Sequence, residues 1–380
     1  MKESKLMAAD ALARWATYRE TMSQPAVWRS WAEPLSALAE MVSTWLRTRD
    51  HREVWLCGAG TSAFIGDTLS AYLDSQFGSR AMYRSIPTTD LVSCPRNFLR
   101  QNGKLLVVSF GRSGDSPETT GTLDLLDTHM PWADRLHFTC NPHGALATRR
   151  PPGPGEQRVI VLPPETNDSG FAMTSSYSTM VLSALACLDE IPPLPPEVAL
   201  SRLADAAEDV LGASVRLVLD DPQPPSRAVF LGCGVLTGSA RESALKVLEL
   251  TAGQVPTAWD STLGFRHGPK AVVDGETRVH VLVSSDPHTR KYDLDAADEI
   301  RRQFGTRALI TFGSDKGKVD LHIPLIGNDA WTSVLFVLAA QIHAIGWSDT
   351  LGVNVDNPFG AGTLTRVVAG VTLYPLDVVT

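Results

Sequence analysis

The sequence predicts an α/β protein made of two similar halves, each a parallel sheet covered by helices on both faces. Three observations carry this. Short apolar runs alternate with helical patterns along most of the chain, which is how buried parallel strands and their crossover helices read. The pattern strand, glycine turn, helix occurs at Gly58-Ala-Gly60 and returns at Gly232-Cys-Gly234, with Gly58 and Gly232 174 positions apart. That spacing suits duplication of a whole domain rather than a short repeat. Finally, 380 residues exceed one ordinary core and suit two domains.

Residues 8 to 48 read as an amphipathic helical lead-in, broken near Pro25 and Pro34. The first domain is expected over 49–215 and the second over 216–380. In the first, Val54 to Cys57 is a strand, Gly58 to Ser62 a turn, and Ala63 to Leu73 a helix. Met82 to Ile86 gives a second strand, and Leu105 to Phe110 a buried one that runs into Gly111-Arg-Ser-Gly-Asp-Ser-Pro-Glu118. Ser116 and Pro117 there match an N-cap and first-turn proline for the helix that follows. Strands at Leu136–Cys140 and Val159–Leu162 and a helix from Ser175 to Leu188 complete the half. Proline clusters at 192–196 and 222–225 flank one helix, Glu197 to Leu219. The second half repeats the scheme with a strand at Ala228–Leu231, a helix from Ser239 to Leu250, and strands at Val279–Ser284 and Ala308–Phe312.

Composition narrows the function. With 43% hydrophobic and 20% charged residues the chain is a globular protein. A net charge of −8 disfavours nucleic acid and anionic membrane as partners. The five cysteines are scattered and never spaced C-x-x-C, which argues for reduced thiols and against disulfides or a metal site. The N-terminus has no apolar core of signal-peptide length, and no run of about 18 apolar residues is read along the chain, so a cytoplasmic location is expected.

In an open parallel sheet, ligands sit beyond the carboxyl ends of the strands, where free N–H groups and helix dipoles favour an anion. Gly58 to Ala63 satisfies G-x-G-x-x-A, so a dinucleotide site has to be weighed. No carboxylate closes the second strand, however, and Thr61, Ser62, Ser113 and Ser116 offer hydroxyl donors at two successive strand ends. That pattern favours one terminal phosphate over a pyrophosphate. Taken singly, each of these glycines and hydroxyls is as well explained by a tight turn or a helix cap.

The strings around these residues resemble a known family. Cys57-Gly-Ala-Gly-Thr-Ser62 with Ser113-Gly-Asp-Ser116 is similar to the phosphate-binding pair of sugar isomerase (SIS) domains. The strings Gly58–Asp67, Ser109–Gly114, Gly170–Ser176, Ala240–Gly253, Phe265–Lys270 and Thr365–Val368 resemble the AgaS family of tagatose-6-phosphate ketose/aldose isomerases and galactosamine-6-phosphate deaminases. The resemblance implies two tandem SIS domains, each a flavodoxin-like or Rossmann-like three-layer sandwich. It implies no cofactor, no metal, and a homodimer or higher homo-oligomer whose active sites are shared between subunits.

Site roles follow from the resemblance as well. A phosphorylated sugar or amino sugar would be held by Gly60, Thr61, Ser62, Arg112, Ser113, Gly114 and Ser116, with Thr174, Ser175 and Ser176 near the sugar hydroxyls. Glu249 becomes the base and His267 the ring-opening group, with Glu242 and Lys246 beside the base. By spacing alone, Glu242, Lys246 and Glu249 share a helical face and read better as a surface ion-pair ladder. The lysine that glucosamine-6-phosphate synthase carries near its C-terminus is missing from Thr372–Thr380, and no amidotransferase domain precedes the pair. The implied reaction turns galactosamine 6-phosphate and water into tagatose 6-phosphate and ammonia. Alternatives are a non-deaminating ketose/aldose isomerase, a phospho-fructosamine deglycase and a sugar-phosphate-binding regulator.

Overall fold

A computed structural model of the chain describes residues 11–76, 80–360, 362–367 and 370–376. A long helix, α1 (Ala16–Arg47), leads into the first half. There β1 (Glu53–Cys57), α2 (Thr61–Leu73), β2 (Met82–Ser85), α3 (Thr88–Ser93), β3 (Leu105–Gly111), α4 (Pro117–His129), β4 (Asp134–Thr139), α5 (Ala145–Thr148), β5 (Gln157–Val161) and α6 (Ser175–Leu188) alternate. Helix α7 (Pro196–Asp220) crosses to the second half. That half holds β6 (Arg227–Gly232), α8 (Val235–Leu250), β7 (Thr257–Asp260), β8 (Thr277–Leu282), α9 (Thr289–Phe304), β9 (Leu309–Gly313), β10 (Leu321–His322) and α10 (Asp329–Thr350).

Each half forms a five-stranded sheet, ordered β2-β1-β3-β4-β5 and β10-β9-β8-β6-β7, and every pairing is parallel. Counted within its own half, each sheet has the same 2-1-3-4-5 order. Strand order therefore confirms the duplication that the glycine spacing predicts. Strands β7 and β10 go beyond the sequence reading, because both are short edge strands without a continuous buried run.

Two expectations are corrected. Helix α1 is not broken at Pro25 or Pro34 but runs through both. An interior proline costs about 3 kcal/mol. Against that, Trp28, Trp31, Leu35 and Val42 are buried, and each large apolar side chain returns about 1.5–3 kcal/mol. Polar ties add to this, with Trp31 Nε1 donating to Ser183 Oγ at 3.0 Å and Gln24 Nε2 to Gln341 Oε1 at 2.9 Å.

The second correction concerns apolar runs. Helix α10 is long and apolar enough to cross a membrane, with a mean hydropathy of 1.4, yet that stretch is 100% buried inside the fold. It is a core helix packed against α7 and α8. The main hydrophobic core is continuous, running from α1 through both halves to α10.

Candidate active site

Two loops at the carboxyl edge of the first sheet frame the site. After β1 the chain turns at Gly60 with φ +54° and ψ −129°, and the second half repeats the turn at Gly234 with φ +56° and ψ −124°. The left-handed φ needs glycine. A Cβ on Gly58 would lie 2.4 Å from the backbone of Ser62, so the pair of glycines lets α2 begin directly beneath the strand end. After β3, Gly114 takes φ +72° and Ser116 caps α4, accepting from Thr119 N at 3.3 Å. Asp115 fastens this loop by accepting from Ala145 N at 2.7 Å, while Asn141 Nδ2 donates to Ser113 O at 2.9 Å.

Between the loops lies a cavity of about 340 Å³. Gly60, Thr61, Ser62, Arg112, Ser113, Gly114 and Ser116 line it from the first half, and Lys246 and Glu249 from α8 of the second. Residues from both halves thus meet in one chamber.

The floor is a buried charge cluster. Lys246 Nζ lies 2.7 Å from Glu249 Oε2 and 3.3 Å from Glu242 Oε1, and donates to Thr61 Oγ1 at 3.0 Å. Thr61 Oγ1 passes its own hydrogen to Glu242 Oε1 at 3.3 Å. Side chains of Lys246 and Glu242 are 1% and 0% exposed, while Glu249 is 24% exposed and opens to the cavity. The surface-ladder reading of this spacing is therefore excluded. Burial pushes the Glu242 carboxyl up to about 7 despite the nearby ammonium, and the Glu249 charge adds to the rise. Burial works against the Lys246 ammonium, but its two carboxylates outweigh that and raise it above the ordinary range. Glu249 is thus tethered on one oxygen by a lysine that keeps its proton.

Other candidates stand elsewhere. Thr174, Ser175 and Ser176 are wholly buried and do not line the cavity. Their backbone N–H groups and the Thr174 and Ser176 hydroxyls converge on the buried Asp168 carboxylate at 2.5–3.0 Å. A carboxylate at the first turn of α6 satisfies donors that a sugar would otherwise have to meet. Sequence reading missed Asp168, whose only signal is its position six residues before Thr174.

His267 sits on an exposed turn of the second half, before Gly268 at φ +127°, and does not line its own chain's cavity. Arg266 and Lys270 on either side of it both pair with Glu299 of α9. Sequence reasoning also missed much of the cavity wall, namely Thr89, Glu118, Phe171, Met173 and the segment Leu364–Val367. Only the family string at Thr365 pointed to that last segment, and Val368 in the same string lies outside the described residues.

Comparison with known proteins identifies the family of this chain. An Escherichia coli D-galactosamine-6-phosphate deaminase AgaS is 38% identical over 400 residues, covering 99% of each chain. Its Shewanella namesake is 38% identical over 97% of this chain and 95% of its own length. The chain belongs to the AgaS family. No family model matches it. The crystal structure of an E. coli tagatose-6-phosphate ketose/aldose isomerase superposes with a TM-score of 0.82 at 36% identity, covering 95% of this chain and 96% of that one. The two parallel sheets are accordingly tandem SIS domains, and this AgaS-family chain is an enzyme of phosphosugar chemistry.

Proposed function

We propose that this protein converts galactosamine 6-phosphate and water into tagatose 6-phosphate and ammonia. The observation that carries the reading is Glu249, a carboxylate held by a buried lysine at the floor of a chamber whose rim is lined with hydroxyls. Ser62, Ser113 and Ser116 hold the phosphate at the paired loops, with Gly60 and Gly114 giving the backbone its close approach. Glu249 takes the C2 proton of the open-chain aldose, leaving an enolamine, and returns a proton at C1. The resulting C2 imine adds water and loses ammonia, giving the ketose. Lys246 holds the carboxylate in place, and Glu242 with Thr61 holds the lysine.

His267 opens the sugar ring from the neighbouring subunit of a homo-oligomer in the cytoplasm. Its exposure and its absence from the lining of its own chain's cavity support this placement. The test is ammonia release from galactosamine 6-phosphate, with glucosamine 6-phosphate in parallel. Ammonia from the galacto substrate is expected; none from either sugar defeats the reading, and a preference for the gluco sugar reassigns the substrate.

A further inference from the structure

Arg112 lines the cavity and invites the role of phosphate ligand, but both of its Nη groups donate elsewhere. Arg112 is 7% exposed. Nη1 donates to Ala172 O at 3.3 Å and reaches Phe171 O at 3.5 Å, while Nη2 donates to Arg366 O at 3.2 Å and also reaches Phe171 O at 3.5 Å. All three acceptors are backbone carbonyls from two segments that border the cavity. An arginine fork suits such a task, because its rigid, always-charged plane bridges several acceptors at once. Burial and the neighbouring Arg366 lower its pKa, yet a guanidinium stays charged across the working range.

The second of those segments is the chain's end. After α10, Asp356 accepts from Ala16 N and Thr17 N at 2.8 Å each, and Phe359 packs on Phe171 at 5.2 Å between ring centroids. Leu364 to Val367 then form the outer wall of the cavity. Further on, Leu373 packs close over Gly121 of α4, beyond the cavity's other side. Between these two anchors, the Arg112 to Arg366 bond is the described hydrogen bond that ties the wall to the body. Two further bonds, Gly362 N to Phe359 O at 2.8 Å and Thr365 Oγ1 to Val367 O at 2.6 Å, stay within residues 359–367.

We propose that Arg112 is a positioning residue that pins the carbonyl of Arg366 and so holds Leu364–Val367 as the cavity's outer wall, in place of a direct phosphate contact. Releasing that bond frees the wall without touching the Ser62, Ser113 and Ser116 cradle. The consequence for catalysis rests on the function proposed above; the tether itself does not.

The segment carries its own reporter, since trypsin cleaves after Arg366. The experiment compares wild type with Arg112→Met, which keeps the length and loses every donor, and with Arg112→Lys. Cleavage at the Arg366–Val367 bond is followed by mass spectrometry, and steady-state kinetics are measured alongside. Loss of a charged hydrogen bond should speed cleavage at this site about tenfold in Arg112→Met. Arg112→Lys, which keeps the charge and part of the bonding, should fall between, and it gives the same reading if the methionine variant melts early. KM should rise in step with the cleavage rate across the three proteins.

A raised KM with unchanged cleavage would overturn the tether and restore Arg112 to the phosphate. Unchanged cleavage with unchanged KM would overturn it as well. Faster cleavage in a protein that turns over no amino sugar phosphate would uphold the tether and remove only the substrate assignment.

Discussion

At the scale of single residues, the proposed base is defined by what surrounds it. Glu249 has one oxygen on Lys246 and faces the cavity with the rest of its carboxylate, whereas Glu242 has the same chemistry but is sealed behind Thr61. Replacing Glu249 by glutamine keeps shape and hydrogen bonding but removes the proton acceptor. Turnover should fall about 100- to 10,000-fold, while protection of the fold by sugar phosphate against heat persists. Mixing Glu249→Gln with His267→Ala subunits should then recover about a quarter of wild-type activity if a dimer shares its sites. Equal loss of ligand protection and turnover would make Glu249 structural, and no recovery on mixing would place His267 outside the shared site.

At the scale of elements, the proposed site depends on α2 and α8 touching across the two halves. Gly238 makes the contact possible, because a Cβ there would lie 2.3 Å from Thr68 Oγ1 and 2.6 Å from Thr68 N. The same two helices carry Thr61 and Lys246, 3.0 Å apart. Gly238→Ala should wedge the helices apart by about 1 Å and cost about 100-fold in kcat, a loss larger than its effect on phosphate affinity. An alanine variant with normal kcat would show that the interface yields without moving the site. Helix α1 teaches a related lesson: its two prolines read as breaks, yet burial of its tryptophans against α6 and α7 keeps it whole.

At the scale of the whole molecule, the core holds titratable groups that set acid sensitivity. Burial keeps His137 and His343 neutral, with pKa values lowered to about 3 and about 4, and holds His280 well below 6.5. Unfolding restores the ordinary value of 6.5, so below it the unfolded chain binds protons that the folded chain refuses. Stability is therefore full above pH 6.5 and lost as pH falls towards 4, by about 1.4 kcal/mol per pH unit for each histidine. Glu242 acts in the opposite sense. Its folded pKa of about 7 exceeds the ordinary 4.5, so its contribution is full below 4.5 and lost as pH rises through 7. Three imidazoles outweigh one carboxyl, and urea midpoints should drop between pH 6.5 and 5. A midpoint that holds or climbs on acidification would mean that the imidazoles do not govern stability.

The sequence by itself determined the repeated α/β halves, the two loops at the strand ends and the Glu242-Lys246-Glu249 face. These are local properties, set by apolar runs, glycine turns and helical spacing, and each survives without knowledge of neighbours. Only the tertiary structure decided which of them face a common space. It turned the apparent surface ladder into a buried Glu242–Lys246 pair with Glu249 opening to the cavity, since burial is a property of what packs on a helix and not of the helix itself. It assigned Thr174 and Ser176 to Asp168 and spent the donors of Arg112 on carbonyls, because hydrogen-bond partners are chosen by proximity in space. It also brought residues 364–367 against a site that begins near residue 58, a contact across some three hundred positions that no local pattern encodes.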